Sequence, residues 1–182
     1  ILNNFKNSVI LRPSIVYSVD DKFSTNFMTF LNRLPIMPLY YNGDTKFRPI
    51  HVIDLVDIIC EMIYKKENYS LLECIGPDVL SFKDILNILL EAIDKKRLLI
   101  PLPLPLARIS AKILQLLPRP ILTEDQLRLL KYDNIESGLY KTNFDVGFKS
   151  SRKFKTEINK YSYNWKSGGQ FSNQNRITKL ND

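Results

Sequence analysis

The sequence predicts an α/β chain. Apolar runs of strand length alternate with stretches whose apolar residues recur at helical spacing. The connections are short and carry Pro, Gly or Asn, and no internal repeat is present. Such alternation points away from an all-helical bundle and from an all-β sandwich.

Taken in order, residues 9–12 read as a strand that runs into Arg12-Pro13. The connection after it is unusual. Ile15, Val16 and Tyr17 keep it apolar, and polar residues (Ser18, Asp20, Asp21) come only afterwards, whereas a loop in water is normally polar. Either a flat apolar partner lies against this loop, or the loop covers core. From about Ser24 to Leu34 the period is helical, with Phe23, Phe27, Phe30 and Leu31 expected on one face. Pro35 and Pro38 end that helix and carry an extended segment to Tyr41, and Asn42-Gly43-Asp44 is a turn. Residues 47–52 read as one short strand. A helix over 53–65 follows, with Leu55, Ile58, Ile59, Met62 and Ile63 inward and Asp54, Asp57 and Glu61 opposite. A strand over 70–75 closes at Gly76-Pro77, and Ser81 caps a helix to about Asp94, with Asp84 completing a capping-box pattern. A strand over 97–101, a helix over 105–117 and a helix from Thr123 through Lys131 complete the reading.

Composition sets the outer limits. With 182 residues, 45% hydrophobic and 25% charged, the chain is one globular unit or one domain plus a tail. No apolar run approaches the roughly 18 residues that span a bilayer, and no signal-peptide pattern is present. Cys60 and Cys74 lack metal-ligand spacing and read as reduced core or near-core thiols, which favours a cytoplasmic compartment. The sequence starts on Ile1 and almost directly on a strand, so an N-terminal part with partner strands is expected upstream. Charge is uneven. Eight of the 26 basic residues but only two of the 19 acidic ones lie from Lys149 onward, so this stretch carries +6 of the formal +7. A basic tail suits nucleic acid, anionic lipid or an acidic protein surface, and equally a solvated end.

Four stretches in this order resemble a known family. "VILRPSIVYSVD" is similar to the L-R-P-x-x-V-Y-G segment that follows the catalytic tyrosine of extended short-chain dehydrogenases/reductases. "KFRPIHVIDLVDII" resembles their V-x-V-x-D-V-A strand-to-helix signature, and "LLECIGPDVLSFKDILNILLEAI" their next strand, turn and helix. "RLLIPLPLPLARISAKILQLLPRPILTEDQLRLLKYDNI" and "YNWKSGGQF" resemble one branch, labelled NAD-dependent epimerase/dehydratase. That branch holds the NAD(P)H-binding accessory subunit of respiratory complex I and its bacterial relatives. The implied fold is the C-terminal part of a Rossmann-like doubly wound parallel sheet plus a smaller α/β subdomain for substrate or partner. Residues 1–148 would form this part, without the N-terminal Rossmann half, and 149–182 a basic tail.

The resemblance answers the question of the apolar loop. In the family it lies beside the nicotinamide ring, so contact with NAD or NADP is implied at Pro13, Ser14, Ile15 and Val16; plain strand-exit packing is the alternative. Pro13 fixes φ and stiffens the loop, and few polar groups suit a flat ring. Ser18 stands where the family has Gly, which leaves the course past Tyr17 open. No G-x-G-x-x-G fingerprint and no Tyr-x-x-x-Lys pair occurs, and the family places both upstream of the matched region. No catalytic residue is therefore assigned in this chain.

Other candidates are few. His51, the only histidine, rules out a multi-histidine metal site within these residues. It reads as a structural histidine bonded to nearby backbone, with substrate contact as the alternative. Lys46 and Arg48 lie near, though not in register with, the family's phosphate-binding arginine, so with His51 they form the substrate-binding candidates. Asp54 matches the family's helix-start aspartate, a structural role. Within 105–117, Arg108 and Lys112 form a basic stripe that Arg119 extends, beside a broad apolar face; docking to a partner or membrane and an ordinary core helix both fit. Two functions follow. One is a dinucleotide-binding accessory or assembly subunit of complex I, peripheral on the cytoplasmic face of the inner membrane, with no nucleic acid or metal. The other is a soluble epimerase, dehydratase or reductase acting on a nucleotide sugar or other small substrate.

Overall fold

The computed structural model describes residues 8–65, 70–103, 105 and 128–169. Within them the chain runs β1 (Ile10–Pro13), β2 (Val16–Tyr17), α1 (Lys22–Arg33), β3 (Ile36–Leu39), β4 (Lys46–Phe47), β5 (Ile50–His51) and α2 (Val52–Lys65). Then come β6 (Leu71–Cys74), β7 (Leu80–Ser81), α3 (Phe82–Ala92), β8 (Leu98–Pro101) and α4 (Phe154–Tyr161), closed by a 3-10 turn at Ser162–Trp165. This is the α/β alternation read from the sequence.

Three pairs are parallel: β1 with β6 (Ile10 opposite Leu71), β2 with β5 (Val16 opposite Ile50), and β3 with β8 (Ile36 opposite Leu98). The fourth, β4 with β7, is antiparallel. Parallel neighbours need long crossovers, and helices supply them here. Residues 134–143 then pass beside the strands, with parallel bridges from Asn134 to Phe47 and from Thr142 to Glu73. Asn134 bonds on both sides of β4 (Arg48 N to Asn134 O 3.2 Å, Asn134 N to Lys46 O 2.7 Å), and Lys141 and Asn143 bond to Glu73 of β6.

Two apolar clusters hold the elements together. The larger joins Met28 and Leu31 of α1, Phe82, Ile85, Leu86 and Leu89 of α3, and Phe154, Ile158 and Tyr161 of α4. The smaller packs Ile58 and Met62 of α2 onto Leu72, Cys74 and Ile50, with Phe148 closing it. The caps follow the sequence. Asp21 accepts the Ser24 amide at 2.5 Å and starts α1, and Ser81 with Asp84 forms the expected capping box at 3.0 Å in each direction.

Several expectations need correction. The strand expected over 47–52 is two short ones, β4 and β5, because Pro49 has no amide to donate and breaks the ladder. On α2, Ile59 and Ile63 point outward (Ile63 is 69% exposed), whereas Asp54 is buried. The inward face runs through Asp54, Leu55, Ile58 and Met62, so the polar end of the stripe was read on the wrong side. On α1 the apolar residues divide into two stripes: Ser24, Met28 and Leu31 face the core, while Phe23, Phe27 and Phe30 are half-buried beside it. Cys60 is exposed and not near core, whereas Cys74 is buried as expected, and burial pushes its thiol up to about 11. The segment from Lys149, set apart above for its charge, contains α4, which the sequence reading did not foresee. Its Trp165 also donates to Thr29 of α1 at 2.9 Å. The helix expected over 105–117, with Arg108, Lys112 and Arg119, lies outside the described residues apart from Pro105.

Candidate functional site

In open α/β sheets, ligands bind at the carboxyl ends of the strands. The carboxyl end of β1 opens here into a cavity of about 460 Å³, within the size range of small-molecule sites. Its wall is aromatic: Phe23, Phe27 and Phe30 from α1, Phe47 from β4, Phe82 from α3, and Tyr132. Successive rings meet edge to face, Phe23 on Phe27 at 5.1 Å and Phe27 on Phe82 at 5.4 Å, the arrangement ring quadrupoles favour. Spacings of four and three place Phe23, Phe27 and Phe30 on one helix stripe. On the solvent side of that stripe, Lys22 and Asn26 are exposed and form the rim with Arg12. Arg12 is 56% exposed, and its nearest carboxylate is Glu73 at 3.7 Å. Asp133 also lines the cavity, its carboxylate accepting the Lys46 amide at 2.8 Å.

The four loop residues separate. Pro13 and Ile15 line the cavity. Ser14 is buried, its hydroxyl donating to Asn134 O at 2.8 Å and accepting the Arg48 amide at 3.2 Å. Val16 packs toward the smaller core cluster. The expected loop thus holds a short strand, β2, locked by Ile50 N to Ile15 O at 2.9 Å.

None of the substrate-binding candidates lines this cavity. Lys46 is exposed at the edge of β4. Arg48 is drawn inward: Nη1 binds Glu136 at 2.8 Å, and the guanidinium lies 5.3 Å from the Phe144 ring centre. Beside it the Glu136 carboxyl is held below the usual range; desolvation opposes this, but its own backbone amide and Arg48 prevail. His51 is buried against Tyr17 with ring centres 5.1 Å apart, and its Nδ1 accepts the Ile53 amide at 3.3 Å. Burial, the largest influence, lowers its pKa against the opposing charge of Glu157, with Arg152 adding to the lowering.

That shift gives a signed prediction. A histidine with a depressed folded pKa contributes stability that is fully present above about 6.5 and is lost as pH falls through the folded value. The urea midpoint should hold steady from pH 8 to 7 and decline below about 6.5. In His51→Gln the decline should move to the carboxylate range. An identical profile in parent and variant, measured by circular dichroism, would refute the assignment.

What sequence reading missed is the cavity. It assigned Phe23, Phe27 and Phe30 to the same face as Leu31 and proposed neither Arg12 nor Lys22 as a site residue. The signal was the second stripe, Ser24, Met28 and Leu31, which faces the core.

Comparison with known proteins agrees with the architecture. No protein-family model matches the chain. It is 28% identical over 149 residues to the mitochondrial NADH dehydrogenase [ubiquinone] 1 alpha subcomplex subunit 9 of Arabidopsis thaliana, covering 75% of this chain and 37% of that one. Among solved structures, the dTDP-glucose 4,6-dehydratase of Streptomyces venezuelae with NAD bound superposes with a TM-score of 0.52 at 15% identity. That match covers 86% of this chain and 42% of the dehydratase. The UDP-glucose 4-epimerase of Thermotoga maritima gives 0.53 at 12% identity, covering 85% and 44%. The chain shares a Rossmann-like α/β fold with part of these two structures. It spans a little over a third of the Arabidopsis relative and less than half of these two structures. The family resemblance read from the four sequence stretches therefore stands, as does the Rossmann-like fold class. Several neighbours were solved with NAD or NADP bound. Among the described residues, no helix is long and apolar enough to cross a membrane.

Proposed function

We propose that this chain is part of a nicotinamide-dinucleotide-binding subunit, accessory or assembly, of respiratory complex I. The carrying observation is Arg48. Arg48, the arginine near the family's phosphate-binding position though out of register with it, is engaged by Glu136 and Phe144 and is not presented to a substrate phosphate. The name of the Arabidopsis relative supports the same reading. Pro13 and Ile15 are the residues we assign to the nicotinamide side, with the aromatic cavity next to them. Attachment would use the basic residues Arg108, Lys112 and Arg119, and an apolar face on α2 (Ile53, Val56, Ile63 and Tyr64, all exposed) would meet a protein surface.

The test is native electrophoresis of mildly solubilised membranes. The tagged protein should comigrate with NADH dehydrogenase activity, and Arg108→Glu with Lys112→Glu should reduce comigration at low salt more than at high salt. Recovery wholly in the soluble fraction at low salt would overturn the proposal. So would turnover of UDP-glucose or dTDP-glucose, which would establish the alternative, a soluble nucleotide-sugar epimerase or dehydratase.

A further inference from the structure

We infer that the aromatic cavity takes an amphiphile, an aryl or acyl chain ending in an anionic group, with Lys22 meeting the anion. The inference deepens the proposed function and rests on it, because it takes this cavity as the ligand side of the Pro13 loop.

The apolar half of the argument comes from α1. Phe23, Phe27 and Phe30 remain half-buried, and together with Phe47 and Phe82, on which Phe23 and Phe27 pack, they line a cavity of about 460 Å³. Phenyl rings offer no donor or acceptor to a hydroxyl or an amide edge. The hydroxyls of a hexose placed against this wall would lose water and gain no hydrogen bonds there. A chain of methylenes or a flat ring gains contact over its whole surface. The polar half comes from the stripe beside it. Lys22 is exposed, four residues before Asn26 on the rim, and has no carboxylate partner among the described residues. Arg12 adds a second cation, bound to Glu73 only at the long distance of 3.7 Å. Among the described residues Asp133 is the one carboxylate on the lining, and it is engaged by the Lys46 amide. An acyl tail with a carboxylate or phosphate head matches both halves.

The 182-residue chain would be titrated by calorimetry with decanoate, decanol and UDP-glucose, without cofactor and without complex I. Decanoate should bind about threefold to fivefold more tightly than decanol at low salt, the size of an exposed ion pair, and the gap should close in high salt. UDP-glucose should not compete. Lys22→Gln, a change at an exposed position that leaves the core intact, should narrow the gap between decanoate and decanol, Arg12 holding what remains. Phe27→Asp should abolish binding of both, with circular dichroism reporting whether that variant is folded. Equal binding of decanoate and decanol by the parent, an unchanged ratio in Lys22→Gln, displacement by UDP-glucose, or no binding of any of the three would overturn the inference. Comigration with complex I is read independently, so failure here leaves the proposed function standing. Failure there leaves a decanoate-binding cavity without its assigned role.

Discussion

Gly76→Ala is expected to destabilise the chain by about 3 kcal/mol or more. An added Cβ at this position would sit 1.7 Å from the Pro49 carbonyl oxygen and 2.6 Å from its carbon. Both are backbone atoms, so no side chain can swing aside. The only relief is to move residues 48–50 away from the end of β6, and these residues are fixed on three sides. Gly76 itself donates to Arg48 O at 3.0 Å, Arg48 donates to Asn134 O at 3.2 Å, and Ile50 donates to Ile15 O at 2.9 Å. A shift that clears the clash breaks the contact between the site loop and the sheet. Overpacking that cannot relax costs about 3 kcal/mol or more, a large part of a marginal total of about 5–15 kcal/mol. Gly138→Ala is the control. Its φ is +72° with nothing within 4 Å of the new Cβ, so only the left-handed backbone is penalised, by about 1–2 kcal/mol. Urea unfolding followed by near-ultraviolet circular dichroism separates the two. Equal midpoints for both variants would mean that the approach of Pro49 to Gly76 is wrong.

The fold was legible where local chemistry decides it. The capping box at Ser81, the prolines after α1 and the apolar runs of β1 and β6 each specify an element from within a few residues. Faces were harder. On α2, Asp54 looked solvent-facing because carboxylates are rarely fully buried, and the distant Ser150 and Arg152 make its burial tolerable. On α1, two apolar stripes side by side gave one broad periodic signal, and whether the outer stripe covers core or lines a cavity depends on Phe47 and Phe82, which arrive from elsewhere in the chain. Of the loop after Arg12-Pro13, the sequence gives the apolar character but not that Ser14 turns inward to Asn134, 120 residues away. Contacts at that separation leave no local trace. The same holds for α4: Phe154, Ile158 and Tyr161 have helical spacing, but a net positive charge drew the reading toward a solvated tail.

Arg152→Met should destabilise the chain by about 3 kcal/mol, more than removal of its partner. Asp54 is only 2% exposed and accepts from Ser150 Oγ and the Arg152 amide, each at 3.0 Å, and from the Arg152 guanidinium. Arg152 is one-third exposed and also lies 3.5 Å from Asp57, so without Asp54 it can turn to water and keep a carboxylate neighbour. The asymmetry sets the order. Removing the cation leaves a buried charge with two neutral donors, and breaking a buried pair in this way costs about 3–5 kcal/mol, reduced here because Met restores some packing. Asp54→Asn keeps an acceptor for Ser150 and releases a cation that water can reach, which costs about 1–2 kcal/mol. The effect should reach beyond the pair. The Arg152 carbonyl accepts the Tyr17 hydroxyl at 2.9 Å, and Tyr17 packs edge-on against Phe154, so this junction ties β2 to α4. Hydrogen exchange at the amides of α4 should therefore accelerate in Arg152→Met more than exchange in α3, whose capping box is untouched. The double variant Asp54→Asn with Arg152→Met should recover part of the loss, since no buried charge remains. If Asp54→Asn proves the more damaging single change, the burial of Asp54 is misassigned and the junction is held by packing of Tyr17 and Phe154 alone.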